Sequence, residues 1–247
     1  IVLDGSFEMD DQGPVADTAF FCSRNILMIG FNEQLKEHSS VADFLLLPGG
    51  HMPVRIMHDE QLLTLEFDDS LENKTRYSLL IDKVCDLAGN CSDTVINRIM
   101  LAWPECGDIV VSEIMFDPEP SVSLPVCEYI ELLNTTSYRF NMSETELQIG
   151  SDVYGFAGAV LAPQEYIIIC NSCDSSELSS YGRVICTGGY FNMNNSSEII
   201  VLNNRIGGLI HGLEYNKEWY GTQLKEEGGW SLELIDPAYS FAGEKNW

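Results

Sequence analysis

Positive charge is what this 247-residue chain has least of: 13 lysines and arginines stand against 38 aspartates and glutamates, a net charge of −25. The deficit is even, with 18 acids and 7 bases in residues 1–106 and 20 and 6 in residues 107–247. Neither half can build a basic patch, so nucleic acid and anionic lipid surfaces are excluded as partners. No apolar run approaches the ~20 residues that cross a bilayer as a helix, so no transmembrane segment is expected in this fragment. The chain starts at Ile1 without a methionine and has no signal peptide. It reads as a piece excised from a longer exported protein.

Catalytic signatures are missing as well. There is no Gly-x-Ser-x-Gly elbow, phosphate-binding loop or dinucleotide fingerprint. His38, His51, His58 and His211 show no His-x-His or His-Glu-x-x-His spacing and read as surface or loop residues. The glycine pairs 49–50, 188–189 and 207–208 read as hairpin turns. No catalytic residue, cofactor or metal is expected.

What the chain does contain is short strands. Ala19–Cys22, Ile26–Phe31, Ala42–Leu47, Val54–Met57, Leu62–Phe67, Tyr77–Val84 and Val95–Leu101 are apolar or alternating, and turn residues such as Pro48-Gly49-Gly50 separate them. After a joint at 102–107 come Asp108–Pro118 and Cys127–Asn134. Leu147–Ile149, Val153–Phe156, Tyr166–Cys170, Val184–Thr187, Glu198–Leu202, Leu209–Tyr215 and Ser231–Ile235 complete the series. Only 174–181 suggests a helix, capped by Asp174 or Ser175. Spacing of this kind predicts a β-sandwich, twice, with antiparallel sheets. Residues 1–18 are acidic and turn-rich and are expected to be a linker or the end of a preceding domain.

Eight cysteines, Cys22, Cys85, Cys91, Cys106, Cys127, Cys170, Cys173 and Cys186, favour disulfides and an oxidising compartment. Cys85 and Cys91 flank the turn Asp86-Leu-Ala-Gly-Asn90, which brings its strands within bonding range. They are expected to pair. Cys186 is expected to pair with Cys170 or Cys173, and the two remain open. Cys170-Asn-Ser-Cys173 lacks the surrounding βαβ pattern of a redox site, and a single Cys-x-x-Cys is a poor zinc signal.

Two stretches resemble known families. Ile26–Leu35, Leu63–Phe67 and above all Tyr77–Asn90, a strand running into Asp-x-Ala-Gly-Asn, resemble a bacterial Ig-like domain of the S-layer type. Ser112-Glu-Ile-Met-Phe-Asp-Pro118 followed by Glu128-Tyr-Ile-Glu-Leu-Leu-Asn134 resembles the opening of the lamin tail domain. Leu161–Ile169, Asn194–Leu202, Gly229-Trp-Ser-Leu-Glu233 and Asn246-Trp247 continue that match in order. His211 stands where this family often has Asp, and Leu234 where a basic residue is usual.

The resemblances imply an all-β chain of two tandem Ig-like β-sandwiches, one over 19–103 and a lamin tail domain over 107–247. They imply a pairing found in exported proteins of Bacteroides-type bacteria, located extracellularly, at the cell surface or in the periplasm. The expected function is a non-enzymatic module for adhesion, display or protein contact, with a protein or a cell-surface glycan as partner. The alternative is an accessory carbohydrate-binding region of a surface hydrolase, stacking sugar on Trp219, Tyr220 and Trp230. Packing in a core or rim is the plainer expectation for those rings. Glu113, Glu128 and Glu131, with Asp117, are placed to hold calcium if they converge. The plainer expectation puts Glu113 and Glu131 at a sheet edge, bonding loop backbone.

Overall fold

The computed structural model describes residues 10–37, 40–68, 71–156, 158–171, 174–187 and 192–247. The chain is nearly all β and divides into two compact units, Ile1–Trp103 and Pro104–Trp247.

Unit 1 contains β1 (Ala16–Phe21), β2 (Ile26–Phe31), β3 (Phe44–Leu47), β4 (Arg55–Asp59), β5 (Leu62–Glu66), β6 (Thr75–Cys85) and β7 (Cys91–Leu101). They form two antiparallel sheets, β1-β2-β5-β4 and β3-β6-β7. Period-2 alternation decides which side chains go inside. Leu27, Ile29 and Phe31 of β2 and Leu63 and Leu65 of β5 join Phe44 and Leu46 of β3 and Tyr77, Leu79, Ile81 and Val84 of β6 in one buried cluster. Each fully buried aliphatic or aromatic side chain contributes about 1.5–3 kcal/mol relative to exposure.

The β6–β7 turn is tied twice. Asp86 Oδ1 accepts from the N–H groups of Gly89 (2.6 Å) and Asn90 (2.8 Å), and Oδ2 accepts from Asn90 Nδ2 (2.8 Å). Gly89 sits at φ 97°, where a side chain would be strained. The expected Cys85–Cys91 disulfide closes the turn.

The start of the chain differs from the expected linker. β1 begins at Ala16, and the preceding residues are already bonded to unit 1. Val15 N–H donates to Asn32 Oδ1 (2.7 Å), Ser92 donates to the Pro14 carbonyl (2.5 Å) and Asn90 Nδ2 to the Asp10 carbonyl (3.0 Å). Residues 1–9 lie outside the described residues.

Unit 2 contains β8 (Ile109–Met115), β9 (Tyr129–Asn134), β10 (Phe140–Asn141), β11 (Thr145–Ile149), β12 (Asp152–Gly155), β13 (Val160–Leu161), β14 (Tyr166–Cys170), α1 (Ser175–Leu178), β15 (Arg183–Cys186), β16 (Ser197–Asn204), β17 (Leu209–Asn216), α2 (Gln223–Glu226) and β18 (Leu232–Glu233). A five-stranded sheet, β15-β14-β9-β8-β18, and a four-stranded sheet, β12-β11-β16-β17, make the sandwich, and β10 pairs with β13.

The inner face of the five-stranded sheet carries Ile114, Ile130 and Ile169 in one row, all fully buried. Its outer face is also partly covered, because Met115, Tyr129, Ile168 and Cys170 pack with Cys127 and with Leu178 of α1. Burial on both faces accounts for the unbroken apolar run of β14 and for the buried Ile109, Val110 and Val111 that open β8, where strict alternation is missing. One pairing departs from the expected antiparallel sheet: β14 and β15 are parallel, joined through α1. A parallel pair needs a crossover of about a dozen residues, and the segment holding α1 supplies it.

Candidate functional site

The side chains with chemistry in them collect on the outer face of the five-stranded sheet. Register sets two rows there. One runs Glu233–Glu113–Glu131–Ile168–Val184 across β18, β8, β9, β14 and β15. The next runs Met115–Tyr129–Cys170–Cys186. Three carboxylates directly opposite one another repel, so the fold must supply compensating donors.

Those donors are hydroxyls. Tyr129 donates to Glu113 Oε1 (2.6 Å), and Ser112 donates to Glu131 Oε1 (2.7 Å). Ser112 reaches because it is the extra residue of a β-bulge: Val111 pairs with Leu132, yet Glu113 pairs with Glu131. Burial pushes the Glu131 carboxyl up; the Ser112 bond opposes this, and Glu113 and Glu233 add repulsion. Burial and then the bond to Glu113 push the Tyr129 hydroxyl well above its ordinary value, which holds it as a donor. The arrangement can keep a proton on Glu131 more readily than an exposed glutamate can. It leaves Tyr129 poorly suited to act as a base or nucleophile.

This corrects the expectation that Glu113 and Glu131 lie at a sheet edge and bond loop backbone. They lie on the two strands inside the sheet and accept from side chains. Glu128 does bond backbone, accepting from Met193 N–H (2.6 Å). Burial raises its carboxyl to about 7, against the Met193 bond and with Asp117 and Asp174 adding to the rise. The four acids weighed for calcium therefore separate, Glu128 with Asp117 and Glu131 with Glu113. Among the described residues, the carboxylates that bring one oxygen each within 4.8 Å of one another are Asp10, Glu33 and Asp86 of unit 1. Burial, Asp10 and Asp86 raise Glu33. Burial works to raise Asp86 too, but its bonds from Asn90, Gly89 and Ala88 hold it below the ordinary range.

The three rings weighed as a sugar platform against core or rim packing meet different partners. Trp219 packs on Trp247 (6.1 Å between centroids), and Tyr220 lies against Phe116 (5.7 Å) and donates to the Trp230 carbonyl. Lys225 Nζ sits 5.2 Å from the Trp230 ring. Trp230 is positioned by Gly228 and Gly229, both at positive φ. A Cβ on either would run into the backbone carbonyl of Glu119 or Pro120.

His211 is the largest departure from expectation. Read as surface or loop, it is fully buried on β17. Its Nδ1 accepts from Val111 N–H (3.2 Å), and its Nε2 lies 3.2 Å from the Ser240 carbonyl, which fixes the proton on Nε2. Burial depresses its pKa, against the Ser240 bond. A bulge causes this: Leu202 pairs with His211 but Asn203 with Leu209, so Ile210 and His211 both turn inward. Simple alternation points one of them outward, and nothing in the sequence marks the extra residue.

Cys170 is fully buried and Cys186 exposed. They are thiols, not the disulfide weighed from the sequence, and they are register partners on β14 and β15. Burial, then Cys186, Asp174 and Cys127, push the Cys170 thiol up to about 12. Cys173 lies outside the described residues. The parallel β14–α1–β15 unit supplies a strand–helix–strand frame where the sequence predicts none. A buried thiol with a raised pKa is nevertheless a poor first nucleophile toward an external redox partner.

Residues 104–217 match the family model Lamin Tail Domain. The match stops short of β18 and the closing segment, although β18 pairs with β8 inside the same sheet and Ser240 meets His211. Among solved structures, the chain is similar to the N-terminal part of the bacterial S-layer protein SbsC, at 12% identity and a TM-score of 0.42. That similarity covers 82% of this chain and 43% of the S-layer chain. No curated protein matches.

Proposed function

We propose that this chain is a non-catalytic structural and interaction module of an exported or cell-surface protein, acting through protein contact. In this reading an Ig-like domain of bacterial type over 19–103 precedes a lamin tail domain over 107–247. The observation that carries the proposal is that the side chains able to do chemistry are already engaged in holding the fold. Glu131 takes the Ser112 hydroxyl, Glu113 the Tyr129 hydroxyl, Glu128 the Met193 amide, and His211 ties β8 to the closing segment. The Lamin Tail Domain match supports the module class, and the Cys85–Cys91 disulfide supports an oxidising, extracellular setting.

An open groove of about 700 Å³ on unit 1 favours a protein partner. Its floor is the cross-strand row Leu45–Leu80–Val95, with Val95 54% exposed, and its rim carries Asp43, Asp82 and Asp93. An apolar floor inside an acidic rim fits an apolar protein patch bordered by basic residues.

The test is binding of the intact chain to panels of extracellular proteins and of glycans, with Val95→Glu, Trp219→Ala and Trp230→Ala alongside. The proposal expects saturable protein binding that Val95→Glu weakens at least tenfold. Specific glycan binding that a folded Trp219→Ala or Trp230→Ala variant loses favours the carbohydrate-binding alternative instead.

A further inference from the structure

We propose that Cys170 and Cys186 form a redox-responsive clasp, which closes by exchange with a small-molecule disulfide and fastens the edge strand β15 to β14. The two cysteines are register partners on adjacent parallel strands. Adjacent strands lie about 4.8 Å apart. That is inside the roughly 4.4–6.8 Å that a disulfide spans between Cα atoms. Cys186 is close enough to Cys170 to help push its pKa up. The chain has already closed one cysteine pair, Cys85–Cys91, so an oxidising setting is consistent with the rest of the molecule.

The asymmetry of the pair orders the chemistry. Cys186 is exposed and Cys170 is not, so a disulfide such as oxidised glutathione can reach only Cys186. The Cys186 thiolate attacks one sulfur of that disulfide, forms a mixed disulfide and expels one small thiolate. Cys170, losing its proton, then attacks the Cys186 sulfur and expels the second. Two protein thiols become one disulfide, and the reagent takes up both electrons and both protons as two thiols. Cys127 is also near enough to Cys170 to influence it, but both members of that pair are buried, so neither takes the first step.

The experiment uses the intact protein, reduced and then exposed to oxidised glutathione, with free thiols blocked before tryptic mapping. Lysine and arginine positions place Cys170 in the peptide 140–183 and Cys186 in 184–205. A parallel Cys173→Ser sample leaves Cys170 as the sole thiol of the first peptide. The expected product is the two peptides joined in both samples, separated by reductant, with unit 2 of the oxidised protein melting roughly 5–10 °C higher. In Cys186→Ser, Cys170 should take up no glutathione while the protein stays folded. The proposal is overturned if folded protein leaves both cysteines blocked or glutathionylated. It is equally overturned if Cys186 joins Cys173 or Cys127, if a chelator rather than a reductant frees the pair, or if Cys170 reacts directly in Cys186→Ser.

Discussion

Among the described residues, the buried polar side chains divide very unevenly between the two units: Asp86 stands alone in unit 1, against ten in unit 2, among them Asn134, Asn204, His211, Ser240 and Asn246. The difference follows from how each unit connects its strands. In unit 1 short turns join β1 to β2, β4 to β5 and β6 to β7, and hydrocarbon packing between the sheets does most of the stabilising. In unit 2 long segments with little ladder pairing, 116–128 and 217–247, lie against the sandwich, and their carbonyls and amides need partners. Asn134 Nδ2 donates to the Tyr138 (2.7 Å) and Ala162 (2.8 Å) carbonyls, and Asn246 Nδ2 to those of Asp236 (2.8 Å) and Tyr239 (3.0 Å). One unit is held by apolar packing, the other also by side chains that substitute for missing ladder bonds.

The contrast predicts different weak points, each readable by hydrogen exchange resolved to peptides of either unit. The largest effect is expected from Leu65→Ala, which opens a cavity in unit 1 and lowers its stability by about 4 kcal/mol. Asn134→Ala should cost unit 2 about 3 kcal/mol, because two carbonyls and the Thr136 amide lose their partner. Equal loss in both units from either variant would break the comparison.

His211→Leu should cost about 2 kcal/mol at neutral pH by orphaning Val111 N–H and the Ser240 carbonyl. It also sharpens the contrast through pH. A histidine whose folded pKa is depressed contributes stability above its ordinary value near 6.5, lost as pH falls through the folded value. The wild type should therefore show a loss in unit 2 below about pH 6.5, and the Leu variant should lack that component.

Glu128 works in the opposite sense. A carboxyl raised to about 7 is most favourable below its unfolded value of 4.5, and that contribution is lost as pH rises through about 7. The full shift corresponds to about 3 kcal/mol, which solvent screening of a partly exposed group reduces to about 1–2 kcal/mol. Glu128→Gln keeps an acceptor for Met193 and should stabilise unit 2 by that smaller amount at pH above about 8. A titration of unit 2 stability for the two variants checks both signs at once.

The legible parts were those that repeat a period. The bounds expected for Ile26–Phe31 and Tyr166–Cys170 match the strands found, and the Asp86–Asn90 turn announced the Cys85–Cys91 bond. What escaped was set by single residues or by neighbours distant in sequence. The bulges at Ser112 and at Ile210–His211 shift a strand by one residue and leave no compositional trace. β10, β13 and β18 have two residues each, too short to carry a period. The direction of β15 depends on which strand it meets, and its four residues do not encode that. Of Glu113, Glu128 and Glu131, singled out with Asp117 from the sequence, only Glu113 and Glu131 stand opposite one another, and the sequence does not mark their partners, Tyr129 and Ser112. A hydroxyl in a strand reads equally well as solvent-facing.

The claim that these groups are structural and that the chain acts by contact is tested most directly by measuring binding and turnover side by side. Intact protein would be assayed against its best-binding panel member and against ester, phosphoester and glycoside substrates, with Glu131→Gln in parallel. The expected result is saturable binding, no turnover above the buffer rate and an unchanged binding constant in Glu131→Gln. Turnover by the wild type that is lost in a Glu131→Gln variant with an intact fold would contradict it.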